Sequence, residues 1–362
     1  MPPRSTRSGP TASNRTTVAV RSFAKINLGL YIGPRRADGF HDLRTVYQTI
    51  ALHDVIRVSV ERAAGIEIVC QCNDPRVPLD SSNTCHRVAA LVKDTLAAKG
   101  KVTIEIEKRL PVQGGLGAAS SNAVATMLAL ERALKKPLTA AERLRIAASV
   151  GSDLPLFLIG GTILGVGHGE EVYPLPDLPS IPMVVVMPEI GVSTPRAFAD
   201  WDNLVASQGT TGLRSAKQPK AAIRTQPELT DSASSDRLIE VGRALSAWLG
   251  GYPDAGAPAA IRGGGRAGSP LSDLVRAGIR NDFEHVVFSQ FPELRDMKRA
   301  LERAGSRYAS LSGSGSALYG LFASAAAAEK AASRLQKQGM KAVATRTLTR
   351  QQYWKKWLVT RG

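Results

Sequence analysis

The feature that most constrains the fold is a glycine-rich turn at residues 110–123, which continues directly into an apolar, alanine-rich stretch. Before it, residues 102–107 alternate between apolar and polar side chains, which predicts a half-buried strand. The order is therefore strand, glycine loop, helix. Gly114, Gly115 and Gly117 can adopt positive φ and admit a ligand close to the backbone, while the free N–H groups of the helix point into the turn. This arrangement predicts a phosphate-binding loop, and a flexible loop that merely precedes a helix is the alternative.

The loop matches neither of the two common nucleotide-binding motifs. A P-loop requires a lysine directly after its last glycine, whereas an alanine follows Gly117. The dinucleotide fingerprint requires a third glycine where Ser120 stands. The sequence therefore predicts that phosphate is held here by backbone groups without a P-loop lysine.

Length and composition indicate an ordinary two-domain globular protein. The chain has 362 residues, of which 43% are hydrophobic, enough to bury a full core in each domain. No apolar run reaches the roughly 18 residues of a membrane span, and no secretion signal is recognisable. We expect a soluble cytoplasmic protein that is a monomer or a homodimer. Residues 1–17 contain three arginines and no acid, which predicts a disordered basic tail, with a short transit segment as the alternative.

The three cysteines do not form a recognisable metal motif. Cys70 and Cys72 lie two residues apart in a strand-like segment, and Cys85 is followed by His86. This spacing matches no common zinc pattern, so we expect reduced structural thiols and no metal site. Three cysteines without a secretion signal fit a reducing compartment.

The net charge of +16 is concentrated at the two ends of the chain. Residues 330–362 carry nine basic residues and no acid, and residues 1–17 add three, so +4 remains for everything between. A basic end with tyrosine and tryptophan could touch RNA, but positive surface around an anionic-substrate enzyme explains it as well. Because no recognition motif accompanies the charge, we expect no nucleic-acid partner.

The first domain is predicted at residues 18–176. Its first 75 residues are mostly strand, interrupted at residues 24–25, and a helix capped by Asn83 should end near Gly100. Another helix should begin at Thr139 with a capping box. Residues 151–165 are predicted as a bent, glycine-rich strand. The isolated Asp153 in this segment is either a solvent-facing turn residue or a functional carboxylate.

Four prolines at residues 174–182 predict a domain junction, and the second domain should span residues 177–350. Strand, helix and strand signals there predict an α+β arrangement. Within it, residues 205–272 are expected to be a flexible insertion apart from a helix around 236–249. The Ser-Gly-Ser-Gly turn at 312–316 is either a second backbone-exposing loop or a flexible turn. Residues 351–362 are expected to form a basic C-terminal tail.

Two backbone-donor loops, an early lysine and one acid in an apolar setting suit the transfer of a phosphoryl group to a hydroxyl. That reaction depends mainly on positioning and on charge stabilisation, which helix N-termini and cations supply. A carboxylate is needed to orient the nucleophile. Lys25 and Asp153 are the candidates for these two roles.

Several motifs then resemble the GHMP kinases. The loop carries Pro111, Gly114, Gly115, Leu116, Gly117, Ser120, Ser121, Asn122 and Ala123 at the spacing of the ATP loop of that family. Three flanking pairs of segments lie in the family's order, at residues 23–28 with 36–42, 151–157 with 160–170, and 281–284 with 311–316. The resemblance covers most of residues 18–203 and 275–348. It implies a ribosomal-protein-S5-domain-2-like N-terminal domain and a ferredoxin-like C-terminal domain.

The resemblance also implies a function and its residues. It implies a kinase that uses ATP and Mg²⁺ to phosphorylate the 2-hydroxyl of a cytidine-diphosphate methylerythritol. Lys25 and Asp153 are the implied catalytic pair, and Asn27 the implied substrate contact beside them. The implied ATP-binding residues are Pro111, Val112, Gln113, Gly114, Gly115, Leu116, Gly117, Ala118, Ala119, Ser120 and Ser121. Of these, Ser121 is also a candidate magnesium ligand.

The resemblance assigns the cytosine ring to an aromatic pair. Phe40 and Phe198 would stack on the two faces of the ring, His41 would hydrogen-bond its edge, and Thr194 would lie nearby. A surface-turn histidine is the alternative for His41. In this sequence Phe40 stands where a tyrosine is common in the family, which keeps the aromatic face and loses the hydroxyl.

The glycine loop itself departs from the family. Gln113 and Gly114 stand where the family usually has glycine or alanine, and Ala118 and Ala119 replace glycines. Each alanine should favour helix by about 1 kcal/mol over glycine. Two other functions stay open from the residues: another GHMP kinase acting on homoserine, mevalonate or a sugar, and a non-catalytic binding protein on the same scaffold.

Overall fold

The computed structural model describes residues 15–63, 65–212 and 279–359 of the chain, which form two α+β domains. The N-terminal domain consists of β1 (Arg15–Arg35), β2 (His41–Glu61), β3 (Ile66–Cys72), α1 (Thr84–Thr95), β4 (Gly100–Glu107), α2 (Ala118–Leu134), α3 (Ala140–Val150), α4 (Leu154–Phe157), β5 (Thr162–Val166) and β6 (Glu171–Pro174). The C-terminal domain consists of β7 (Pro182–Val186), α5 (Thr194–Gly212), α6 (Glu284–Gln290), α7 (Pro292–Arg303), β8 (Tyr308–Leu311), β9 (Leu318–Leu321), α8 (Ala325–Lys337) and β10 (Ala342–Arg346), and α9 (Arg350–Trp357) follows it. The predicted α+β fold is confirmed.

A long antiparallel hairpin of β1 and β2, each 21 residues, is the base of the N-terminal domain. On its other edge β2 pairs with β4 and β5, which gives the strand order β3-β4-β2-β5-β6. The β1–β2 register shifts between Phe23 and Lys25, at the predicted interruption. The chain therefore bulges there within one continuous strand, and a bulge can redirect the side chain that follows it.

The C-terminal sheet is antiparallel with the order β10-β7-β9-β8. Its strand β7 is apolar throughout because both of its faces are buried. Val184 and Val186 pack into the core formed with the helices of this domain. Met183 and Val185 pack on the other side into an interdomain core that also contains Ile26 of β1. The proline-rich junction at residues 174–182 thus connects two sheets whose facing sides share one apolar core.

The helix α9 returns to the N-terminal domain, within the residues that were expected to form a basic tail. Its N-terminus is closed by a capping box of Thr349 and Gln352. Tyr353 and Trp357 are buried, and the Tyr353 hydroxyl donates to the Phe157 carbonyl at 2.8 Å. The aromatic side chains of this segment therefore anchor the helix, while its lysines account for the basic composition.

Two other expectations differ from the structure. Residues 151–165 are not one bent strand, because Leu154–Phe157 form the short helix α4 and the strand β5 starts only at Thr162. Gly160 and Gly161 between them have φ of 73° and 76°, outside the β region.

The boundaries of the expected flexible parts also shift. The helix α5 extends to Gly212, so residues 205–212 of the expected insertion are helical. The helix expected around 236–249 lies outside the described residues, as do residues 1–14. Residues 15–17 of the expected N-terminal tail belong to β1. Within the described ranges, no helix combines the length and the apolar character that a membrane crossing requires.

Candidate active site

A pocket of about 700 Å³ lies between the two domains, where the glycine loop meets the C-terminal sheet. Its walls come from β1, β2, the glycine loop, the residues before α4, the start of α5 and the turn between β8 and β9. The pocket brings together these predicted site residues: Lys25, Asn27, Phe40, His41, Gly115, Gly117, Ser120, Asp153, Thr194 and Phe198. The remaining predicted loop residues do not line it: Pro111, Val112, Gln113, Gly114, Leu116, Ala118, Ala119 and Ser121.

Lys25 and Asp153 face each other in this pocket. The Lys25 Nζ lies 3.5 Å from the Asp153 Oδ2. Lys25 follows the bulge in β1 and is 4% exposed, whereas Asp153 precedes α4 and its side chain is 33% exposed. At this distance the two side chains form an ion pair, and the partial exposure of Asp153 leaves room for a reacting group beside it.

A chain of hydrogen bonds fixes the lysine. Its Nζ donates to Asn27 Oδ1 at 2.7 Å, and Asn27 Nδ2 donates to Thr45 Oγ1 at 2.7 Å. The Thr45 hydroxyl donates in turn to the Gly29 carbonyl at 2.8 Å. Both polar atoms of the Asn27 amide are therefore engaged within the protein, so this residue orients the ammonium at the pocket wall.

The glycine loop has the backbone conformation that an anion site requires. Gly115 and Gly117 have φ of 75° and 67°, and Gln113 shares this left-handed conformation at 58°. Gly117 is the N-cap of α2 and no side chain caps the helix, so the first N–H groups remain available to a ligand. A backbone hydrogen bond of 3.0 Å from Lys25 N to the Leu116 carbonyl ties the loop to β1.

The turn between β8 and β9 supports the glycine loop from the other domain. The Ser312 hydroxyl donates to the Gly115 carbonyl at 2.9 Å. The Asn281 side chain donates to the carbonyls of Leu311 and Gly313 at 3.0 and 2.7 Å, which fixes the turn. The sequence left open whether residues 312–316 form a backbone-exposing loop or a flexible turn. In the structure these hydrogen bonds fix the turn, and Gly313 and Ser314 line the pocket.

The opposite end of the pocket is aromatic. The rings of His41 and Phe198 stack with centroids 5.2 Å apart and planes 10° from parallel. Phe40 is 58% exposed and stacks on His168 at 4.5 Å. The His41 Nε2 lies 2.7 Å from Asp202 Oδ1, so the carboxylate orients the imidazole. The base-binding roles of Phe40, His41 and Phe198 stay predictions.

Thr194 lies at the start of α5, on the same side of the pocket as Phe198. Its hydroxyl is 2.7 Å from that of Ser314 in the turn between β8 and β9. This contact joins the turn to the aromatic end.

Ser120 and Ser121 point to different environments. Ser120 lines the pocket. Ser121 is 1% exposed, and its hydroxyl donates to the Phe23 carbonyl at 2.6 Å and accepts from Ser22 at 2.7 Å. The Ser121 side chain therefore ties α2 to β1, and this geometry does not support it as a magnesium ligand.

Sequence reasoning missed a buried carboxylate that holds the glycine loop. Asp54 of β2 is fully buried and forms an ion pair with Lys108 Nζ at 2.7 Å. It also accepts from the backbone N–H groups of Arg109 and Leu110 and from the side chain of Asn122, at 2.7, 2.8 and 3.0 Å. One side chain thus anchors both ends of the loop. An acid directly before the apolar Val55 and Ile56 of the strand is the sequence signal that could have revealed it.

Three other pocket residues had no short-range signal. Tyr47, His168 and Asp202 line the pocket beside the predicted residues. Asp202 lies 161 positions after His41, and only the fold brings them together. The assembled site offers a buried ammonium, a carboxylate and two backbone-donor loops, which together suit phosphoryl transfer to a hydroxyl.

Comparison with known proteins gives concordant results. Residues 83–161 match the family model of the GHMP kinases N terminal domain, and residues 266–341 match that of the GHMP kinases C terminal. A 4-diphosphocytidyl-2-C-methyl-D-erythritol kinase of Solibacter usitatus (strain Ellin6076) is 37% identical over 305 residues, which cover 84% of this chain and 80% of the relative. The protein of the same name from Moorella thermoacetica (strain ATCC 39073 / JCM 9320) is 33% identical over 327 residues, covering 90% and 98%. A crystal structure of 4-(cytidine 5'-diphospho)-2C-methyl-D-erythritol kinase is similar at a TM-score of 0.64 and 26% identity, covering 91% of this chain and 98% of that one.

Proposed function

The chain belongs to the 4-diphosphocytidyl-2-C-methyl-D-erythritol kinases, a family of the GHMP kinases, and from this premise we propose how it acts. It is an ATP-dependent kinase that phosphorylates the 2-hydroxyl of 4-diphosphocytidyl-2-C-methyl-D-erythritol, in the non-mevalonate pathway to isoprenoid precursors. The observation that carries the proposal is the 3.5 Å pair of Lys25 and Asp153 in the pocket of the glycine loop.

The proposed reaction uses Asp153 as the base. Its carboxylate takes the proton of the substrate hydroxyl as that oxygen forms a bond to the γ-phosphorus of ATP. The bond from the γ-phosphorus to the bridging oxygen breaks, and ADP leaves with the electron pair. Lys25 stabilises the negative charge on the transferred group, and its hydrogen bond to Asn27 holds the ammonium in place throughout.

The triphosphate is proposed to bind at the glycine loop. The uncapped first turn of α2 supplies N–H donors and the positive end of the helix dipole. Gly115 and Gly117 let phosphate oxygens approach the backbone closely, since neither carries a Cβ. This explains how the loop binds ATP without a P-loop lysine.

Magnesium is proposed to enter with ATP. Mg²⁺ binds mainly through phosphate oxygens and keeps several waters, so it does not need a protein cage. Within the described residues, no group of three or more His, Cys, Asp or Glu side chains could hold a metal ion. Among the oxygen donors at the pocket, the Ser120 hydroxyl in the first turn of α2 would fit a nucleotide-bound ion. When bound, the ion would neutralise phosphate charge.

The substrate's cytosine is proposed to bind at the aromatic end. Phe40 and Phe198 both line the pocket there and offer flat apolar faces. His41, oriented by Asp202, would hydrogen-bond the polar edge of the ring. This half of the pocket would therefore select a cytidine substrate over the acceptors of other GHMP kinases.

The cytoplasm is the proposed location. All three cysteines are free thiols, and Cys70 and Cys85 are buried. Free thiols fit a reducing compartment, and ATP is abundant there.

The test is substitution of the proposed base. Asp153→Asn keeps the shape of the side chain but cannot accept the proton, so we expect kcat to fall by about 10²- to 10⁴-fold while the fold is retained. A matched control is Asp296→Asn on α7, an exposed acid outside the pocket, which should keep wild-type turnover. Turnover of Asp153→Asn within twofold of wild type would contradict the proposed mechanism.

A panel of acceptors tests the substrate. The purified protein is incubated with ATP and, separately, 4-diphosphocytidyl-2-C-methyl-D-erythritol, homoserine, mevalonate and galactose, and ADP release is measured. We expect rapid turnover only with the cytidine compound. Preference for another acceptor would identify a different GHMP kinase, and no turnover with any would favour a binding protein.

A further inference from the structure

Tyr47 contacts both members of the catalytic pair. It lies on β2 and is only 3% exposed. Its hydroxyl is 3.0 Å from Asp153 Oδ1, and its ring centroid is 5.5 Å from the Lys25 Nζ. The other carboxylate oxygen, Oδ2, is the one that faces Lys25. The two oxygens of Asp153 therefore have different partners, and the plane of the carboxylate is defined from both sides.

Two glycines keep the space that this tyrosine occupies. A Cβ at Gly165 would lie 2.5 Å from Tyr47 Cε2, and a Cβ at Gly169 would lie 2.5 Å from the Tyr47 hydroxyl oxygen. Neither position would accept a larger residue without moving the ring. The glycine-rich segment at residues 160–170 is not part of the proposed phosphate site. Two of its glycines instead leave the space that the Tyr47 side chain fills.

The Tyr47 hydroxyl remains a hydrogen-bond donor under all working conditions. Burial raises the pKa of the phenol well above its usual value, and the neighbouring carboxylates of Asp153 and Glu170 raise it further. A neutral phenol beside an ionised carboxylate can only donate to it. The contact is therefore a charge-assisted hydrogen bond, which is stronger than one between neutral groups.

We propose that Tyr47 is a positioning residue for phosphoryl transfer. Its hydroxyl holds Asp153 Oδ1, and this fixes the carboxylate in the orientation that meets the acceptor hydroxyl. Without the hydrogen bond, the carboxylate could rotate toward Lys25 and form a closer ion pair that competes with proton transfer. The proposal rests on the function proposed for Asp153.

The variant that tests it is Tyr47→Phe. Phenylalanine keeps the ring beneath the Lys25 ammonium and fills the same space, so only the hydroxyl is lost. Loss of one hydrogen bond to a charged group should lower kcat by about tenfold. The KM values for ATP and for the cytidine substrate should stay within twofold, because Tyr47 acts on the base and not on binding.

Tyr353→Phe is the matched control. Tyr353 is also buried and its hydroxyl also makes one hydrogen bond, to the Phe157 carbonyl at 2.8 Å, but it does not line the pocket. Both variants should lose similar stability in urea unfolding, and Tyr353→Phe should keep kcat within twofold of wild type. An equal loss of kcat in both variants would show a general structural effect and overturn the assignment.

A double-mutant cycle with Asp153→Asn separates positioning from structure. Single-turnover rates are measured with enzyme in excess for each single variant and for Tyr47→Phe combined with Asp153→Asn. If Tyr47 acts through Asp153, its substitution should have no further effect once the base is gone. A further tenfold loss in the double variant would overturn the proposal, as would a Tyr47→Phe kcat within twofold of wild type.

The same measurements distinguish a failure of Asp153 as the proposed base from a failure of the role proposed for Tyr47. An active Asp153→Asn variant would refute the proposed base and with it the role of Tyr47. An inactive Asp153→Asn variant together with a fully active Tyr47→Phe variant would refute the role of Tyr47 alone.

Discussion

Gly115 lies where the glycine loop of one domain crosses the turn between β8 and β9 of the other. Its φ of 75° is in the left-handed region. A Cβ added there would overlap the Ser312 carbonyl oxygen and lie 2.9 Å from Gly315 Cα. These neighbours are backbone atoms, which cannot swing away as a flexible side chain can. Gly115→Ala should therefore force the two loops apart.

The expected cost has two parts. Placing alanine at positive φ costs about 1–2 kcal/mol. Overpacking against the backbone of the turn adds roughly 1–3 kcal/mol. Gly305→Ala isolates the first part, because Gly305 has φ of 95° and nothing lies within 4 Å of an added Cβ. We expect Gly115→Ala to lower the free energy of unfolding by about 2–5 kcal/mol and Gly305→Ala by about 1–2 kcal/mol.

Urea unfolding of both variants measures these free energies, and steady-state kinetics measures the KM for ATP. Gly115→Ala should also raise the KM for ATP by tenfold or more, about 1.4 kcal/mol, since the displaced loop is the proposed phosphate site. Gly305→Ala should leave it unchanged. Equal destabilisation by the two substitutions would refute the steric part of the reasoning. An unchanged KM for ATP in Gly115→Ala would refute the proposed site.

Three further predictions concern the loop anchor, the thiols and the aromatic end of the pocket. Asp54→Ala leaves Lys108 buried without its partner and should lower the free energy of unfolding by about 3–5 kcal/mol, measured in urea. Burial raises the pKa of the Cys70 and Cys85 thiols to about 11 and about 12, so at pH 8 neither should react with a thiol reagent until the protein unfolds. More than one reactive thiol per native chain would contradict this. His41→Ala should raise the KM for the cytidine substrate at least tenfold more than that for ATP, and equal increases would contradict its assignment to the base.

The local elements were predictable because their signals lie within a few residues. The strand before the glycine loop, the helix after it and the caps at Asn83 and Thr139 all appear as the sequence predicts. The glycine pair at 160–161 was misjudged, because apolar neighbours indicated a strand while their left-handed φ ended it. The residues of α9 were expected to form a tail because of their positive charge. Two buried aromatic rings, those of Tyr353 and Trp357, instead decide where this segment packs.

The residues of the candidate site also fall into two groups, those with a local sequence signal and those without one. Lys25 and Asp153 could be identified because each stands in a motif, although they are 128 positions apart. Asp202 and Tyr47 could not, because their importance arises from partners that only the fold supplies, at 2.7 Å from His41 and 3.0 Å from Asp153. Side chains that orient a reactive group carry no motif of their own. Such residues become visible only when the hydrogen bonds of the reactive groups are traced.

The alanines at 118 and 119 show why the atypical loop keeps its geometry. The left-handed conformation is needed at Gly117, the N-cap, and that position remains glycine. Ala118 and Ala119 begin the helix, where φ is negative and glycine has no conformational advantage. Each alanine should stabilise α2 by about 1 kcal/mol over glycine, and the Ala118 side chain adds to the interdomain core. A methyl group leaves the backbone N–H groups in place, so the two alanines strengthen the first turn and leave its donors free for the proposed phosphate site.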